Sequence, residues 1–336
     1  MSFDSILLLG GSGAIGQQTA RALRASYPDL PLLIGGRDLT KAQRAAAKAG
    51  NAQGIKIDPG RSDLGLGAHK ISAVVVLYKD HSLATLRFAQ ARGVPHLSIS
   101  SGVFEIAPEI ADYINHPHAA AMVLGYEWLV GATTVPALQQ AKAFSEVHAI
   151  CINALVDEED MGGPAVAADF AHLNHLMPRA LTRQAGEYIW REGDDINTAF
   201  PAIDGARINA AGFSSIDVVG LASSTGARDV QFNLGTGVSS TRRNGGTFST
   251  EIIIDMTGLD PAGNNLHTRH AVVHPGGAAP LTGMGIALLL ERLTGLDGKP
   301  PVAPGLYFPY QILDASRYLA RLAEEGGEVL QLKTAF

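Results

Sequence analysis

The chain has 336 residues, more than one ordinary hydrophobic core organises, so two domains are expected. Hydrophobic residues make up 46% and charged residues 17%, a composition that excludes a disordered chain. The net charge of −6 comes without a basic stripe, so no nucleic-acid partner is expected. Apolar runs such as 73–78 are far shorter than the ~20 residues of a membrane span, so no membrane association is expected either.

The first 130 residues alternate short apolar runs with helical stretches. The apolar runs lack the polar alternation of half-exposed strands, which is typical of parallel strands covered on both faces. Strands are predicted at 5–9, 30–34, 54–57, 73–77, 96–100 and 121–124, and helices at 16–26, 39–50 and 82–92. This α/β pattern predicts a dinucleotide-binding Rossmann domain over residues 1–130, with a doubly wound parallel sheet.

A glycine-rich turn joins the first predicted strand to the first predicted helix, with the motif Gly11-x-Gly13-x-x-Gly16. In this setting the early glycines let the backbone approach a pyrophosphate, and the last lets the helix pack closely on the strand. The helix N-terminus attracts the phosphates through its N–H groups and its dipole. The predicted cofactor contacts are Gly11, Ser12, Gly13, Ala14, Ile15 and Gly16.

The end of the second predicted strand indicates which dinucleotide binds. Sites for NAD place an acid about 20 residues past the last glycine, whereas this chain has Gly-Gly-Arg-Asp at 35–38. A guanidinium suits the 2′-phosphate of NADP(H), so Arg37 is predicted to select it, with Lys41 as a second cation. Asp38 can pair with Arg37 or cap the next helix. Asp58 is a predicted adenine or loop contact, with an Asp-Pro turn as the alternative.

The nicotinamide is expected over the carboxyl ends of the fourth, fifth and sixth strands. Hydride transfer needs a proton donor, and side chains at these ends are the candidates. The candidate catalytic residues are Tyr78, Lys79, Tyr126 and Glu127, and further predicted cofactor contacts are Leu77, Tyr78 and Ser101. An ordinary packing or surface role is the alternative for each of them.

The sequence pattern changes after Gly131, where strand-like segments are separated by turns rich in Ser, Thr and Gly. This predicts an α+β domain over residues 131–300 with a mixed or antiparallel sheet. Strands are predicted at 147–156, 215–221, 230–234, 247–256 and 268–273, and a hairpin loop at 243–247. Helices are predicted at 132–144, through most of 165–190, at 283–294 and at 313–325.

Cys151 is the one cysteine, which excludes an intrachain disulfide and a cysteine metal cluster. It lies in the apolar stretch 147–156, so a buried structural thiol is favoured over a nucleophile. A reduced, cytoplasmic setting is expected. No His-Glu-x-x-His motif is present, and no metal site is predicted.

Five segments together resemble the saccharopine dehydrogenase-like family of NADP-dependent oxidoreductases. They are the glycine run at 9–16, the Gly-Gly-Arg-Asp-x-x-Lys-Ala run at 35–42, the Arg-Gly-Val-Pro-His-Leu-Ser-Ile-Ser-Ser run at 92–101, the segment 125–131 that leads into a helix, and Gly-Leu-Tyr-Phe-Pro at 305–309. The chain departs from the family at Ser98, where Asp is frequent, and at Tyr310, where Glu is frequent.

The resemblance implies a Rossmann domain followed by an α+β domain whose sheet mediates a homodimer. It also implies that the C-terminal segment 301–336 packs back on the Rossmann domain. The implied chemistry is hydride transfer to or from a C=N or C=O bond with NADP(H). The low charge after residue 145 favours a small, largely apolar substrate in the interdomain cleft. The alternative is a non-catalytic NADP(H)-binding sensor or partner-binding protein.

Overall fold

The computed structural model describes residues 4–100, 102–103, 105–160, 162, 171, 175 and 178–334. The chain forms two compact units. The first contains Met1–Tyr126 and Thr282–Leu313, and the second contains Glu127–Leu281 and Asp314–Phe336. Each unit therefore has a segment that is separated from the rest of the unit in the sequence.

The strands and helices follow one another along the chain with these bounds. The strands are β1 (Ser5–Leu9), β2 (Leu32–Gly36), β3 (Ala52–Lys56), β4 (Ile71–Val76), β5 (His96–Ser98), β6 (Ala121–Leu124), β7 (Glu146–Asp157), β8 (Ala180–Gln184), β9 (Glu187–Arg191), β10 (Asn197–Pro201), β11 (Arg207–Gly212), β12 (Asp229–Gly237), β13 (Ser249–Leu259), β14 (Asn265–Pro275), β15 (Gly305–Tyr307) and β16 (Glu328–Gln331). The helices are α1 (Ala14–Ser26), α2 (Leu39–Ala49), α3 (Ala84–Arg92), α4 (Ala107–Asn115), α5 (Thr134–Ala141), α6 (Asp217–Thr225), α7 (Ser240–Arg243), α8 (Ala278–Thr294), α9 (Pro309–Ile312) and α10 (Ala315–Glu324).

The first unit is built on a seven-stranded sheet in the order β15–β6–β5–β4–β1–β2–β3. Every neighbouring pair in it is parallel. The strand order reverses between β1 and β4, and ligands of open α/β sheets bind outside the carboxyl ends of the strands at such a point. The predicted doubly wound parallel sheet is confirmed.

Apolar burial explains why this sheet forms from these segments. The four leucine and isoleucine side chains of residues 6–9 are fully buried, as are Val74, Val75 and Val76 of β4. On one face, Leu7, Leu9 and Val74 pack with Phe88 of α3. Both faces of the central strands are therefore removed from water, which accounts for their unbroken apolar sequence.

The second unit is built on a mixed sheet in the order β10–β11–β12–β7–β13–β14–β16. β7 and β12 are parallel, and the other neighbouring pairs are antiparallel. β8 joins the edge of β12 and pairs with β9 as a hairpin. The predicted α+β unit with a mixed sheet is confirmed.

Three predictions inside the second unit are wrong. Residues 215–221 were expected to form a strand, but α6 begins at Asp217 and ends at Thr225, followed by Gly226 with a φ of +73°. A short apolar run does not distinguish a strand from a buried helix. The helix predicted through 165–190 does not extend over 180–190, where the β8–β9 hairpin turns at Ala185 and Gly186 with φ of 50° and 92°.

The loop at 243–247 does not close a hairpin, because β7 lies between β12 and β13 in the sheet. α7 and the turn that follows it carry the chain past β7 instead. Among the described residues, no helix is both long enough and apolar enough to cross a bilayer.

Candidate functional site

The turn between β1 and α1 can be built only with glycine at particular positions. Gly10 has a φ of +80°, a conformation that L side chains rarely adopt. A Cβ on Gly16 would lie 2.4 Å from the Cα of Gly11, and a Cβ on Gly11 would lie 2.8 Å from the carbonyl oxygen of Leu8. These spacings bring the first turn of α1 against the end of β1, as the motif predicts.

The N-terminus of α1 is left open to an anion. Gly13 occupies the cap position with an extended backbone and no side-chain cap. The first helical hydrogen bond is donated by Gln17 N–H to Gly13 O at 3.0 Å, so the N–H groups of residues 14–16 precede it. Donors of this kind, together with the helix dipole, suit a phosphate. The six predicted contacts at 11–16 therefore lie together in one turn.

Arg37 follows β2 as an exposed side chain, with Lys41 exposed on the first turn of α2. Asp38 Oδ1 accepts the backbone N–H of Lys41 at 3.0 Å, so this carboxylate caps α2. Of the two roles open to Asp38, helix capping is the one observed. Within the described part of the chain, Arg37 makes no salt bridge.

Tyr78 and Leu77 lie beside the glycine turn. A Cβ on Gly10 would lie 3.2 Å from Tyr78 Cδ1 and 3.3 Å from Leu77 Cβ. The Leu77 N–H donates to Leu9 O at 2.9 Å. Burial raises the pKa of the Tyr78 phenol, the charge of Asp80 raises it further, and the charge of Arg37 opposes both. The half-buried Tyr78 ring thus lies near both the turn and Arg37, where the sequence predicts a dinucleotide contact.

For two other predicted cofactor contacts, Asp58 and Ser101, the structure gives no position beside the glycine turn. Asp58 is exposed, and its Oδ1 accepts the N–H of Gly60 at 3.0 Å. This is the Asp-Pro turn that the sequence leaves open as its alternative role. Ser101 lies outside the described residues.

Lys79 and Glu105 form an ion pair beyond the carboxyl ends of β4 and β5. Lys79 Nζ lies 3.5 Å from Glu105 Oε2, and both side chains are mostly buried. The same carboxylate oxygen accepts the Gly102 N–H at 3.0 Å. An ammonium held in this way is available as a proton donor at the edge of the sheet where the predicted nicotinamide position lies.

Tyr126 and Glu109 form a second buried pair in the first unit. The Tyr126 hydroxyl donates to Glu109 Oε2, and the two residues are 8% and 5% exposed. Tyr126 follows Gly125, whose N–H donates to Ser98 O at 2.8 Å. A Cβ on Gly125 would lie 2.8 Å from that same oxygen, so the chain leaves β6 in close contact with β5.

Glu127 has a different setting from the other candidates. It is 4% exposed and accepts the hydroxyl of Thr134, within the second unit. Its charge also contributes to raising the pKa of the fully buried Tyr318, after the larger effect of burial. The contacts described for this carboxylate lie within the second unit, and its catalytic role stays a prediction.

Sequence reasoning missed the two glutamates that hold the candidate proton donors. Glu105 lies 26 positions after Lys79, and Glu109 lies 17 positions before Tyr126. No local spacing marks such pairs. The missed helix α4 carries Glu109 in its first turn behind Pro108, and a proline followed by an acid is a signal that a helix begins there.

Two other kinds of chemistry can be examined in the described residues: metal binding and the reactivity of the Cys151 thiol. No group of three or more His, Cys, Asp or Glu side chains that could hold a metal ion occurs among the described residues. Burial raises the pKa of the Cys151 thiol, although hydrogen bonds from Gln231 and Asn153 act in the opposite direction. A raised pKa makes a thiol a poor nucleophile at neutral pH, consistent with the structural role predicted for Cys151.

Comparison with known proteins identifies the architecture. No family model and no curated protein sequence matches the chain. Among solved structures, saccharopine dehydrogenase (L-Glu forming) from Saccharomyces cerevisiae aligns over 98% of this chain and 100% of its own, with a TM-score of 0.69 and 12% identity. The fold is saccharopine dehydrogenase-like.

A homospermidine synthase from Legionella pneumophila, solved in complex with NAD, has the same architecture. It aligns over 98% of this chain and 91% of its own, with a TM-score of 0.61 and 10% identity. The resemblance drawn from five short sequence segments is therefore confirmed for the fold. Identities of 12% and 10% extend it no further.

Proposed function

We propose that this protein is an NADP(H)-dependent oxidoreductase that transfers hydride to or from a C=N or C=O bond. The observation that carries the proposal is the uncapped N-terminus of α1 behind a turn that only glycine permits, with an exposed guanidinium at the end of the neighbouring strand. The fold shared with saccharopine dehydrogenase and with an NAD-bound homospermidine synthase supports it.

Different residues of the chain would bind different parts of the dinucleotide. The N–H groups at 14–16 would bind the pyrophosphate, and Gly11 and Gly16 give it room because neither carries a Cβ. Tyr78 would cover the ribose or adenine beside the turn. When bound, the dinucleotide supplies or accepts the hydride.

Preference for NADP(H) over NAD(H) rests on Arg37. Its guanidinium is exposed and makes no salt bridge with any described residue, so binding a phosphate breaks no existing pair. Asp38 is occupied by the cap of α2 and its charge faces the helix N–H groups. A free planar guanidinium binds a phosphate through two parallel hydrogen bonds, which the 2′-hydroxyl of NAD(H) does not reproduce.

Proton transfer to the substrate is assigned to Lys79 or Tyr126. Each is held by a carboxylate, Glu105 for the ammonium and Glu109 for the phenol. The carboxylate fixes the orientation of the donor and favours return of its proton after each turnover. Loss of turnover with unchanged NADPH affinity in Lys79→Met or in Tyr126→Phe would show which one is the donor.

The decisive experiment compares nucleotide affinities by fluorescence titration. Arg37→Ala should weaken NADPH binding by roughly 10- to 100-fold, the value of one or two charge-assisted hydrogen bonds, and leave NADH binding within about twofold. Arg44→Ala, an exposed arginine on α2, is the matched control and should change neither. Equal losses for both nucleotides in Arg37→Ala would refute the assignment of specificity.

Catalysis is tested separately with cyclic imines and ketones. An oxidoreductase oxidises NADPH in the presence of at least one of these small, largely apolar substrates. Tight NADPH binding without turnover across the panel would instead favour a non-catalytic NADP(H)-binding protein. No affinity for either nucleotide would remove the redox function altogether.

A further inference from the structure

A group of polar side chains lies on one face of the sheet of the second unit. The register of the parallel pair places Cys151 opposite Gln231 and Asn153 opposite Asn233. Because side chains alternate between faces along a strand, these four side chains share one face. Asn233 Nδ2 donates to Asn153 Oδ1 at 2.9 Å. We call Asn153, Gln231 and Asn233 the amide patch.

Arg191 extends from β9 to this patch. Its Nε donates to Thr182 Oγ1 at 2.9 Å, and its Nη2 donates to Asn233 Oδ1 at 3.1 Å. Gly212 of β11 makes room for the guanidinium, since a Cβ at that position would lie only 2.4 Å from Nη2. The guanidinium therefore lies in a seat formed by backbone and neutral side chains.

Among the residues that the structure describes, no carboxylate pairs directly with the guanidinium in this seat, and the charge of Asp195 acts on it only from beyond salt-bridge distance. Both of its hydrogen-bond acceptors are neutral, and no carboxylate in the described ranges lies within salt-bridge distance of it. Burial lowers the pKa of Arg191, but an arginine keeps its proton in proteins. Four other arginines of this unit that are not exposed have a carboxylate partner: Arg242, Arg243, Arg269 and Arg321. The partly buried Arg183 lies over the Tyr188 ring instead.

Arg191 retains the donors that a carboxylate needs. A guanidinium has five N–H donors, and Thr182 and Asn233 take two, which leaves three, including both on Nη1. A planar fork of this kind matches the two oxygens of a carboxylate. The amide N–H groups of Gln231 and Asn153 point at Cys151 Sγ, at 3.2 and 3.5 Å, and a thiol sulfur is a weak acceptor. The two amide N–H groups can therefore leave the sulfur for a stronger acceptor, such as a carboxylate oxygen.

We propose that Arg191 and the amide patch form a binding site for the carboxylate group of a small organic acid. The proposal goes beyond the redox function and does not depend on it. Asp255 lies opposite Cys151 in the register and on the same face. Its charge is paired with Arg269 and His267, each at 3.5 Å. What remains of that charge repels any anion, and a dianion more strongly than a single carboxylate.

The test uses the full-length protein without nucleotide and propionate as the probe. Binding is measured by saturation-transfer NMR and by the rise in melting temperature, at matched ionic strength in chloride and in sulfate. Wild type should bind propionate in the millimolar range and gain melting temperature that sulfate does not give. Arg191→Gln should weaken propionate binding about tenfold or more.

Two further variants distinguish ligand binding by Arg191 from a purely structural role of its hydrogen bonds to Thr182 and Asn233. Asn233→Asp places a carboxylate beside the guanidinium and should abolish the response to propionate, even if Arg191→Gln fails to fold. Arg207→Gln, which removes an exposed arginine from the neighbouring β11, should bind propionate like wild type. No binding by wild type below about 50 mM, equal binding by Arg191→Gln, or equal binding of sulfate would each overturn the proposal.

Discussion

Replacement of Gly16 by alanine tests the physical basis of the glycine turn. The added Cβ would lie 2.4 Å from the Gly11 Cα and 2.7 Å from its carbonyl carbon and oxygen, all backbone atoms. Ordinary contact begins at 3.4 Å, so α1 and the turn must separate by 3.4 − 2.4, or about 1 Å. Such overpacking costs about 1–3 kcal/mol, while the better helix propensity of alanine returns up to about 1 kcal/mol. We expect a net destabilisation of about 1–2 kcal/mol.

Urea unfolding and dinucleotide titration measure the two consequences in the same Gly16→Ala protein. A displacement of about 1 Å moves the N–H groups of 14–16 away from the pyrophosphate, so nucleotide affinity should fall by at least about tenfold. Gly36→Ala is the control for stability, because nothing lies within 4 Å of its added Cβ. If Gly16→Ala matched wild type in both stability and nucleotide affinity, the close approach of α1 to the turn would not be the reason for glycine there.

Two other predictions address stability. Asp217 is fully buried, and burial raises its pKa to about 6 despite hydrogen bonds from Ser215 and from the Trp128 N–H. In the unfolded chain this carboxyl releases its proton near pH 4. As pH rises from about 4 to about 6, the free energy of unfolding of wild type should therefore fall by roughly 3 kcal/mol relative to that of Asp217→Asn. Urea unfolding at several pH values measures this difference, and parallel pH profiles for the two proteins would contradict it. Arg24 donates to the carbonyls of residues 27, 28, 30 and 49–51. Arg24→Met should therefore cost about 2–3 kcal/mol, against no measurable change for Arg44→Met; equal stabilities would contradict that role.

Local patterns were sufficient for most of the first unit. The strand predicted at 5–9 is observed with the same bounds, and the helix predicted at 39–50 differs by one residue at its end. Both are fixed by nearby residues: an unbroken apolar run in the first, and the Asp38 cap with Gly50 at a φ of +66° in the second. Such signals act within a few positions along the chain, and a sequence displays them directly.

In the second unit, tertiary packing gave a different structure from the one that local sequence patterns predict. The run at 215–221 is apolar enough for a strand, but it folds as part of α6 with Asp217 buried against the Trp128 N–H. That contact joins positions 89 apart in the sequence. Likewise, the turn at 243–247 has good hairpin residues, but β7 takes the place beside β12.

By itself the sequence determined the Rossmann sheet, the glycine turn and the presence of a guanidinium at position 37, because each depends on residues close together in the chain. Only the tertiary structure decided which charges are paired. In the folded chain Asp38 caps a helix, Glu105 pairs with Lys79 and Glu109 accepts from Tyr126. Arg191 makes no salt bridge with any described residue. Electrostatic pairing depends on distances of a few ångströms between groups far apart in sequence, and these distances exist only once the chain has folded.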